Sequence, residues 1–190
     1  MNPRAITEAP KPIVLDRDGV INQDSSSYVK SAEEWIPIEG SIEAIARLHQ
    51  GGFEVVVASN QSGLARGYFD EAALTEMHNK LNWLVENAGG LVTAVFYCPH
   101  SPDAGCSCRK PKTGLLEQAE AELGISLVDS YFIGDSLKDL QAASAFNMSP
   151  ILVRTGKGRE TELSLSGKLK HKTSVFDDLK SAVSWILVQE

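Results

Sequence analysis

IVLDRDGV, residues 13–20, is the stretch on which the prediction of the fold rests. Its apolar start follows Pro12 and predicts a short buried β-strand, and Asp16 and Asp18 stand where that strand ends. Side chains two apart in an extended chain point to the same side, so both carboxylates should face one space if the strand geometry continues. Neighbouring acids repel each other unless a cation or a shared proton compensates. The stretch therefore predicts a divalent cation at the end of the first strand.

The order of buried strand, polar loop and amphipathic helix recurs along the rest of the chain. Further strands are expected at 53–58, 91–97, 131–133 and 151–153, and helices after Ser41, Asp70, Thr113 and Ser136, with a last helix through Phe176 and Leu179. This alternation predicts a three-layer, Rossmann-like α/β domain, an open and mainly parallel sheet with helices on both faces. We expect residues 1–11 to be mobile, residues 12–190 to form one domain, and residues 154–173 to form a polar loop.

The composition excludes several classes of function. A formal net charge of −7 on 190 residues argues against a nucleic-acid surface, which needs clustered Lys and Arg. No apolar run approaches the roughly 20 residues of a membrane helix, and the start of the chain, MNPRAITEAPKP, has no apolar signal core. We therefore expect a cytoplasmic protein that binds neither nucleic acid nor membrane. We also expect a monomer, although neither charge nor hydropathy bears on the oligomeric state.

Polar residues follow four of the predicted strands, and the carboxyl ends of parallel strands meet at one crevice. Asp135 follows the fourth strand, where it can share a cation with Asp16 and Asp18, and Mg²⁺ prefers such oxygen ligands. Ser59 and Asn60 end the second strand, and Lys110 lies in a small cationic cluster with Arg109 and Lys112. A hydroxyl, a lysine and Mg²⁺ together can hold a phosphoryl group.

All three cysteines of the chain fall in one short window with a histidine: Cys98, His100, Cys106 and Cys108. Three thiolates and one imidazole are a complete tetrahedral set for Zn²⁺ and leave no open position. The window therefore predicts a structural zinc site. Because Cys108 directly precedes Arg109 and Lys110, this zinc would hold both cations in place.

Together, the motifs DRDGV at 16–20, Ser59-Asn60, Lys110, and Gly134-Asp135 with Asp139 resemble the four ordered motifs of the haloacid-dehalogenase (HAD) superfamily of phosphohydrolases. The resemblance implies a HAD-like fold in which Asp16 attacks phosphorus to form an aspartyl-phosphate, and Asp18 protonates the leaving group and then activates water. It also implies that Mg²⁺ is held by the Asp16 carboxylate, the Asp18 backbone carbonyl and Asp135, and that Ser59 and Lys110 bind the phosphoryl oxygens. The short insertions predict the absence of a large cap domain.

The segments CPH and CxCRKP, with SNQSGLARG at 59–67 and GDSLKDLQAA at 134–143, resemble the histidinol-phosphatase-like subfamily. The resemblance implies removal of the phosphate on C7 of a heptose 1,7-bisphosphate, in the synthesis of ADP-heptose for the lipopolysaccharide core. Histidinol phosphate is the alternative substrate. The residues expected to bind the sugar phosphate are Arg17, Asp24, Tyr28, Asn60, Gln61 and Arg109.

Two functions of other classes stay open from the residues. A phospho-accepting signalling domain also places Asp and Lys at strand ends, but its acceptor Asp follows a middle strand, whereas the Asp pair here follows the first. A zinc-binding module without catalysis would keep the cysteine window and show no hydrolysis with Mg²⁺.

Overall fold

Six parallel strands form one sheet in a computed structural model that describes residues 11–189. Their order is β3-β2-β1-β4-β5-β6. The strands are β1 (Lys11–Leu15), β2 (Phe53–Asn60), β3 (Ala94–Cys98), β4 (Tyr131–Gly134), β5 (Ser149–Val153) and β6 (Ser174–Phe176). The predicted α/β class is confirmed, with β1 beginning one residue before the expected boundary. The rest of the segment predicted to be mobile, 1–10, lies outside the described residues.

The helices cover both faces of this sheet because side chains alternate between the faces along each strand. Ile13 and Leu15 of β1 join the core beneath α1 (Ser41–Gln50), α2 (Glu71–Asn87) and α7 (Leu179–Gln189). Val14 joins the core beneath α3 (Gly114–Leu123) and α4 (Leu137–Ala145) on the other face. None of the helices within 11–189 is long and apolar enough to cross a bilayer.

Two local expectations about helix ends have different outcomes. The Asp70 carboxylate accepts a hydrogen bond from the backbone N–H of Ala73 at 2.8 Å, so it caps α2 as predicted. Ser41 was expected to cap α1, but Gly40 holds that position with φ of 79°. The Ser41 hydroxyl instead donates to the backbone carbonyl of Ile21 at 2.6 Å, which ties the first turn of α1 to the loop after β1.

The prediction of a loop over 154–173 was wrong, because this stretch contains α5 (Gly158–Ser164) and α6 (Gly167–Lys172). Its apolar residues are few, but Leu165 is buried with Leu140 and Leu152, and this small cluster holds α5 against β5 and α6 against α4. Phe176 lies in β6, so the last helix begins later than expected.

The strand order reverses between β1 and β4, which pair directly although β2 and β3 come between them in the chain. Ligands in open parallel sheets bind outside the carboxyl ends of the strands at such a reversal. Asp16 immediately follows β1, and Asp135 immediately follows β4. The topology therefore places the two predicted metal ligands side by side.

Candidate active site and metal centre

A crevice of about 750 Å³ opens beyond the carboxyl ends of the strands. Nearly all residues predicted for catalysis, magnesium and substrate line it: Asp16, Asp18, Asp24, Tyr28, Ser59, Asn60, Gln61, Arg109, Lys110 and Asp135. Its lining also includes residues absent from those predictions, such as Asp139, Lys138 and Lys157.

Lys110 lies at the floor of the crevice, with 2% of its surface exposed. Its ammonium group lies 2.9 Å from Asp16 Oδ1 and 2.6 Å from Asp139 Oδ1, and it donates to the Ala58 carbonyl at 2.7 Å. Burial lowers the pKa of Lys110, but the carboxylates of Asp139 and Asp16 raise it more, so the amine stays charged. A fixed positive charge therefore lies beside the expected nucleophile.

Three buried carboxylates meet here, since ligand oxygens of Asp16, Asp135 and Asp139 lie within 4.8 Å of one another. Burial and the charge of Asp139 raise the pKa of Asp135 to about 7, and the same two causes raise the pKa of Asp16. One lysine cannot neutralise three acids, so the cluster is suited to a divalent cation with oxygen ligands. The spacing of Asp139, four residues after Asp135 in the first turn of α4, is the sequence signal for it.

Asp139 has both oxygens occupied by protein groups, one in an ion pair and the other in hydrogen bonds. Its Oδ1 faces Lys110, and its Oδ2 accepts from the backbone N–H and the hydroxyl of Ser136 at 3.0 and 2.6 Å. Asp16 and Asp135 are therefore the better placed carboxylates for a cation, whereas Asp139 holds Lys110.

The Asp18 carboxylate lies outside the group formed by Asp16, Asp135 and Asp139, although it lines the same crevice. It accepts from Asn22 Nδ2 at 2.8 Å, Gln61 Nε2 at 2.9 Å and Arg17 Nη2 at 3.0 Å. Burial raises the pKa of Asp18, but Arg17, Asn22 and Gln61 lower it more, so it lies below the ordinary value. Asp16 and Asp18 thus both line one crevice, while Asp16 alone of the two belongs to the group of carboxylates suited to a cation.

Arg17 does not lie where a substrate-binding residue should. Its side chain is 1% exposed and its guanidinium contacts Asp18, so it is outside the crevice lining. His78 of α2 lies next to this guanidinium, with its Nε2 3.5 Å from Arg17 Nη1. Burial and the charge of Arg17 lower the pKa of His78 to about 4.

The end of β2 supplies polar groups with different partners. Ser59 Oγ accepts from Gln61 Nε2 at 2.8 Å at the crevice floor. The amide of Asn60 donates to the Lys110 carbonyl and accepts from the Lys110 N–H, both at 3.1 Å. Asn60 lines the crevice as the prediction of a substrate-binding residue requires, and its amide also holds the backbone of Lys110.

The rim of the crevice carries opposite charges. Lys157 Nζ lies 2.8 Å from Asp24 Oδ2, and the Lys157 backbone N–H donates to Asp135 Oδ2 at 2.8 Å. Arg109 Nη1 donates to the carbonyl of His100 at 3.4 Å. Lys157 had no signal in the sequence, because it lies in the stretch that was interpreted as a polar loop.

Ligand atoms of Cys98, His100, Cys106 and Cys108 also lie within 4.8 Å of one another. The Cys98 sulfur is 3.6 Å from that of Cys106 and 3.3 Å from that of Cys108, and His100 Nδ1 is 3.3 Å from Cys108. Tetrahedral Zn–S bonds of about 2.3 Å would separate two sulfurs by about 3.8 Å, close to these distances. The four predicted residues therefore form one cluster with the donor set and size that zinc requires.

Comparisons with known proteins agree with this geometry. A family model described as HAD-hydrolase-like matches residues 107–182. D-glycero-beta-D-manno-heptose-1,7-bisphosphate 7-phosphatase of Pseudomonas aeruginosa is 53% identical over 175 residues, 92% of this chain and 97% of the relative. The enzyme of the same name from Neisseria meningitidis is 47% identical over 177 residues, 93% of this chain and 95% of the relative.

Two solved structures of enzymes with this activity in their names are also similar to this chain. The crystal structure of D,D-heptose 1,7-bisphosphate phosphatase from B. bronchiseptica, complexed with magnesium and phosphate, superposes with a TM-score of 0.90 and 47% identity, covering 95% of this chain and 99% of that one. The homologue from Burkholderia thailandensis gives a TM-score of 0.72 at 40% identity, covering 93% and 98%. With its buried Asp16, Lys110 and Asp135 at the sheet reversal, the chain belongs to the HAD-like hydrolases and, among them, to the family of these heptose-1,7-bisphosphate phosphatases.

Proposed function

We propose that the chain is a magnesium-dependent phosphatase that removes the 7-phosphate of D-glycero-β-D-manno-heptose 1,7-bisphosphate. The observation that carries the proposal is Asp16, held 2.9 Å from the buried Lys110 and beside Asp135, at the base of an open crevice. The extensive similarity to enzymes of that name supports this choice of substrate. The product would supply ADP-heptose synthesis for the lipopolysaccharide core.

Covalent catalysis by Asp16 divides the displacement into two steps. An Asp16 oxygen attacks phosphorus while the bond to the sugar oxygen breaks, and Asp18 gives that leaving oxygen a proton. Water then attacks the aspartyl-phosphate, Asp18 takes the proton from water, and phosphate leaves Asp16. Lys110 and Ser59 line the crevice where they would face the phosphoryl oxygens, and the donors around Asp18 would hold its carboxylate beside the reacting oxygen.

Asp16 and Asp135 would hold Mg²⁺ together with the backbone carbonyl of Asp18. When bound, the ion would reduce the repulsion between the negative charges of the nucleophile and the phosphate. Cys98, His100, Cys106 and Cys108 would hold a structural Zn²⁺, which leaves no open position for catalysis. The zinc loop leads directly into Arg109 and Lys110, so we assign it the role of fixing these cations.

The rim fits a substrate with a second phosphate and several hydroxyls. Arg109, Lys138 and Lys157 bring positive charge to the crevice wall, and Asp24 and Tyr28 line the same opening. We therefore propose that these residues recognise the part of the sugar phosphate that is not hydrolysed.

Phosphate release from three compounds tests the proposed function: the heptose 1,7-bisphosphate, a heptose monophosphate and histidinol phosphate, each with Mg²⁺. We expect kcat/KM to be at least about tenfold higher for the bisphosphate, because only this substrate uses the rim cations as well as the floor. Phosphorus NMR of the product should show loss of the 7-phosphate alone.

Asp16→Asn is the control for this assay, and it should abolish hydrolysis without unfolding the protein. Activity in that variant would reject Asp16 as the nucleophile. A preference for histidinol phosphate would replace the proposed substrate, and an inactive wild-type protein would favour a non-catalytic zinc module.

A further inference from the structure

Arg17 makes an unusually complete set of contacts with its neighbour Asp18. Its Nε lies 3.2 Å from Asp18 Oδ1, and its Nη2 lies 3.0 Å from both carboxylate oxygens. The side chain is 1% exposed, so water cannot replace these contacts. Burying an arginine is costly unless its charge is paired, and the Asp18 carboxylate provides that pairing.

The remaining guanidinium nitrogen, Nη1, faces helix α2. Arg17 Nη1 lies 3.5 Å from His78 Nε2, and the imidazole lies 5.8 Å from the ring of Tyr97 on β3. Because arginine has only donors, Nε2 has to be the acceptor nitrogen of a neutral histidine. The guanidinium is thus held between α2 and the loop that follows β1.

We propose that Arg17 is a positioning residue for Asp18 and that His78 holds Arg17 in place. The inference rests on the proposed function, in which Asp18 gives a proton to the leaving oxygen and later takes one from water at nearly the same point. A carboxylate that serves both steps has to keep one orientation, and the rigid two-nitrogen contact of arginine provides it. A lysine in this position would keep the positive charge but could not make the two-nitrogen contact with the carboxylate.

Arg17→Lys tests this role because the need for the acid depends on the leaving group. A sugar alkoxide requires a proton to leave, whereas p-nitrophenolate does not. We expect kcat for the heptose bisphosphate to fall about 10- to 100-fold, with KM changed less than about threefold. The step that releases nitrophenolate from p-nitrophenyl phosphate should stay within about threefold of the wild type.

The second step gives an independent readout. If Asp18 is displaced as a base, aspartyl-phosphate is hydrolysed slowly in Arg17→Lys, and stopped-flow mixing with p-nitrophenyl phosphate should show a burst of about one nitrophenolate per chain. This assay contains no sugar phosphate. A wild-type protein that fails on the heptose bisphosphate would reject the substrate, while the burst would still test the positioning of Asp18.

Variants of His78 keep the inference testable if Arg17→Lys does not fold. His78→Leu removes the acceptor and should produce the same leaving-group dependence more weakly, whereas His78→Gln retains an acceptor and should restore the wild-type pattern. Arg47→Lys is the matched control, because the Arg47 guanidinium donates to Ser184 away from the crevice. This variant should leave the activity on both substrates unchanged.

Three outcomes would overturn the inference. An equal loss of activity on both substrates without a burst would make Arg17 purely structural. A higher KM for the bisphosphate with unchanged kcat would return Arg17 to substrate binding. Wild-type kinetics in both Arg17→Lys and His78→Leu would mean that Asp18 needs neither residue.

Discussion

Lys110 joins parts of the site that are far apart in the sequence. It follows the zinc loop, yet its ammonium group contacts Asp16 after β1, Asp139 on α4 and the Ala58 carbonyl on β2. Buried charges of this kind are stable only when their partners stay in place, because removing one leaves the other unpaired. The charges at the floor therefore depend on one another, and the half-buried His78 contacts Arg17, which pairs with Asp18.

His78 should make the fold sensitive to acid. Its pKa of about 4 lies below the 6.5 of an unperturbed histidine, so between these two pH values the unfolded chain binds a proton that the folded protein does not. The contribution of His78 to stability is then complete above pH 6.5 and is lost as the pH falls towards 4. In urea unfolding, the free energy of unfolding should fall between pH 7 and pH 4.5 by at least about 1 kcal/mol more in the wild type than in His78→Gln.

The exposed His49→Gln is the control for that measurement and should retain the full pH dependence of the wild type. An unchanged pH dependence in His78→Gln would mean that this half-buried imidazole is not a source of acid sensitivity.

At the scale of elements, the turn between β5 and α5 is packed against the metal site. Its Gly156 and the Gly19 of the first motif both adopt positive φ, and a Cβ on either would collide with Asp135 Oδ2. Thr155 Oγ1 donates to the Gly19 carbonyl at 2.7 Å, which joins the two turns. The absence of side chains at both glycines allows the Asp135 carboxylate to lie between two loops.

Gly156→Ala should weaken magnesium binding. The new methyl group would displace the Asp135 carboxylate, and we expect the Mg²⁺ concentration for half-maximal hydrolysis of p-nitrophenyl phosphate to rise about tenfold. Gly167→Ala is a matched control, because Gly167 has the same φ of 55° but open space around its Cβ position. Gly167→Ala should lose about 1–2 kcal/mol from backbone strain, measured by urea unfolding, and Gly156→Ala should lose more because its methyl group would also meet the Gly19 backbone. Equal magnesium requirements in the two would contradict a role for the packing against Asp135.

Across the whole molecule, one crevice depends on loops from both halves of the sheet. β1 and β4 supply the acids, β2 supplies Ser59, and the loop after β3 supplies Arg109 and Lys110. That last loop has little regular structure, with one short 3₁₀ turn at Pro102–Ala104. The zinc ligands lie at both of its ends, so the order of the cationic wall should depend on the metal.

Removing the zinc should therefore reduce activity mainly through Arg109, because Asn60, Asp16 and Asp139 also hold Lys110 in place. Protein purified without chelator should contain one zinc per chain by elemental analysis, and Cys106→Ser should lose it. We expect kcat/KM for the bisphosphate to fall about 10- to 100-fold, chiefly through KM, because Arg109 loses its support. Ser107→Ala, an exposed change in the same loop, should keep both the metal and the activity. Wild-type protein without zinc would contradict the assignment.

The sequence alone determined the alternation of strands and helices and the residues that carry the chemistry. The periodicity of apolar residues indicates which faces of the strands and helices are buried. The chemically important residues come at the ends of predicted strands or in the loops after them: Asp16, Lys110, Asp135 and the cysteine window. Those features are local along the chain, so they can be recognised without knowing how distant segments pack. The α/β class and the composition of the crevice were therefore predictable.

Only the tertiary structure decided where the side chains beyond the strand ends point. Once β1 stops at Leu15, periodicity no longer constrains direction, and Arg17 turns from the substrate to Asp18. Asn60 turned out to hold Lys110, and Lys157 reached the crevice from a stretch too poor in apolar residues to be recognised as helical. These outcomes depend on contacts between segments that are remote in sequence. A buried charged side chain has to lie beside a partner, and that partner comes from a different part of the chain.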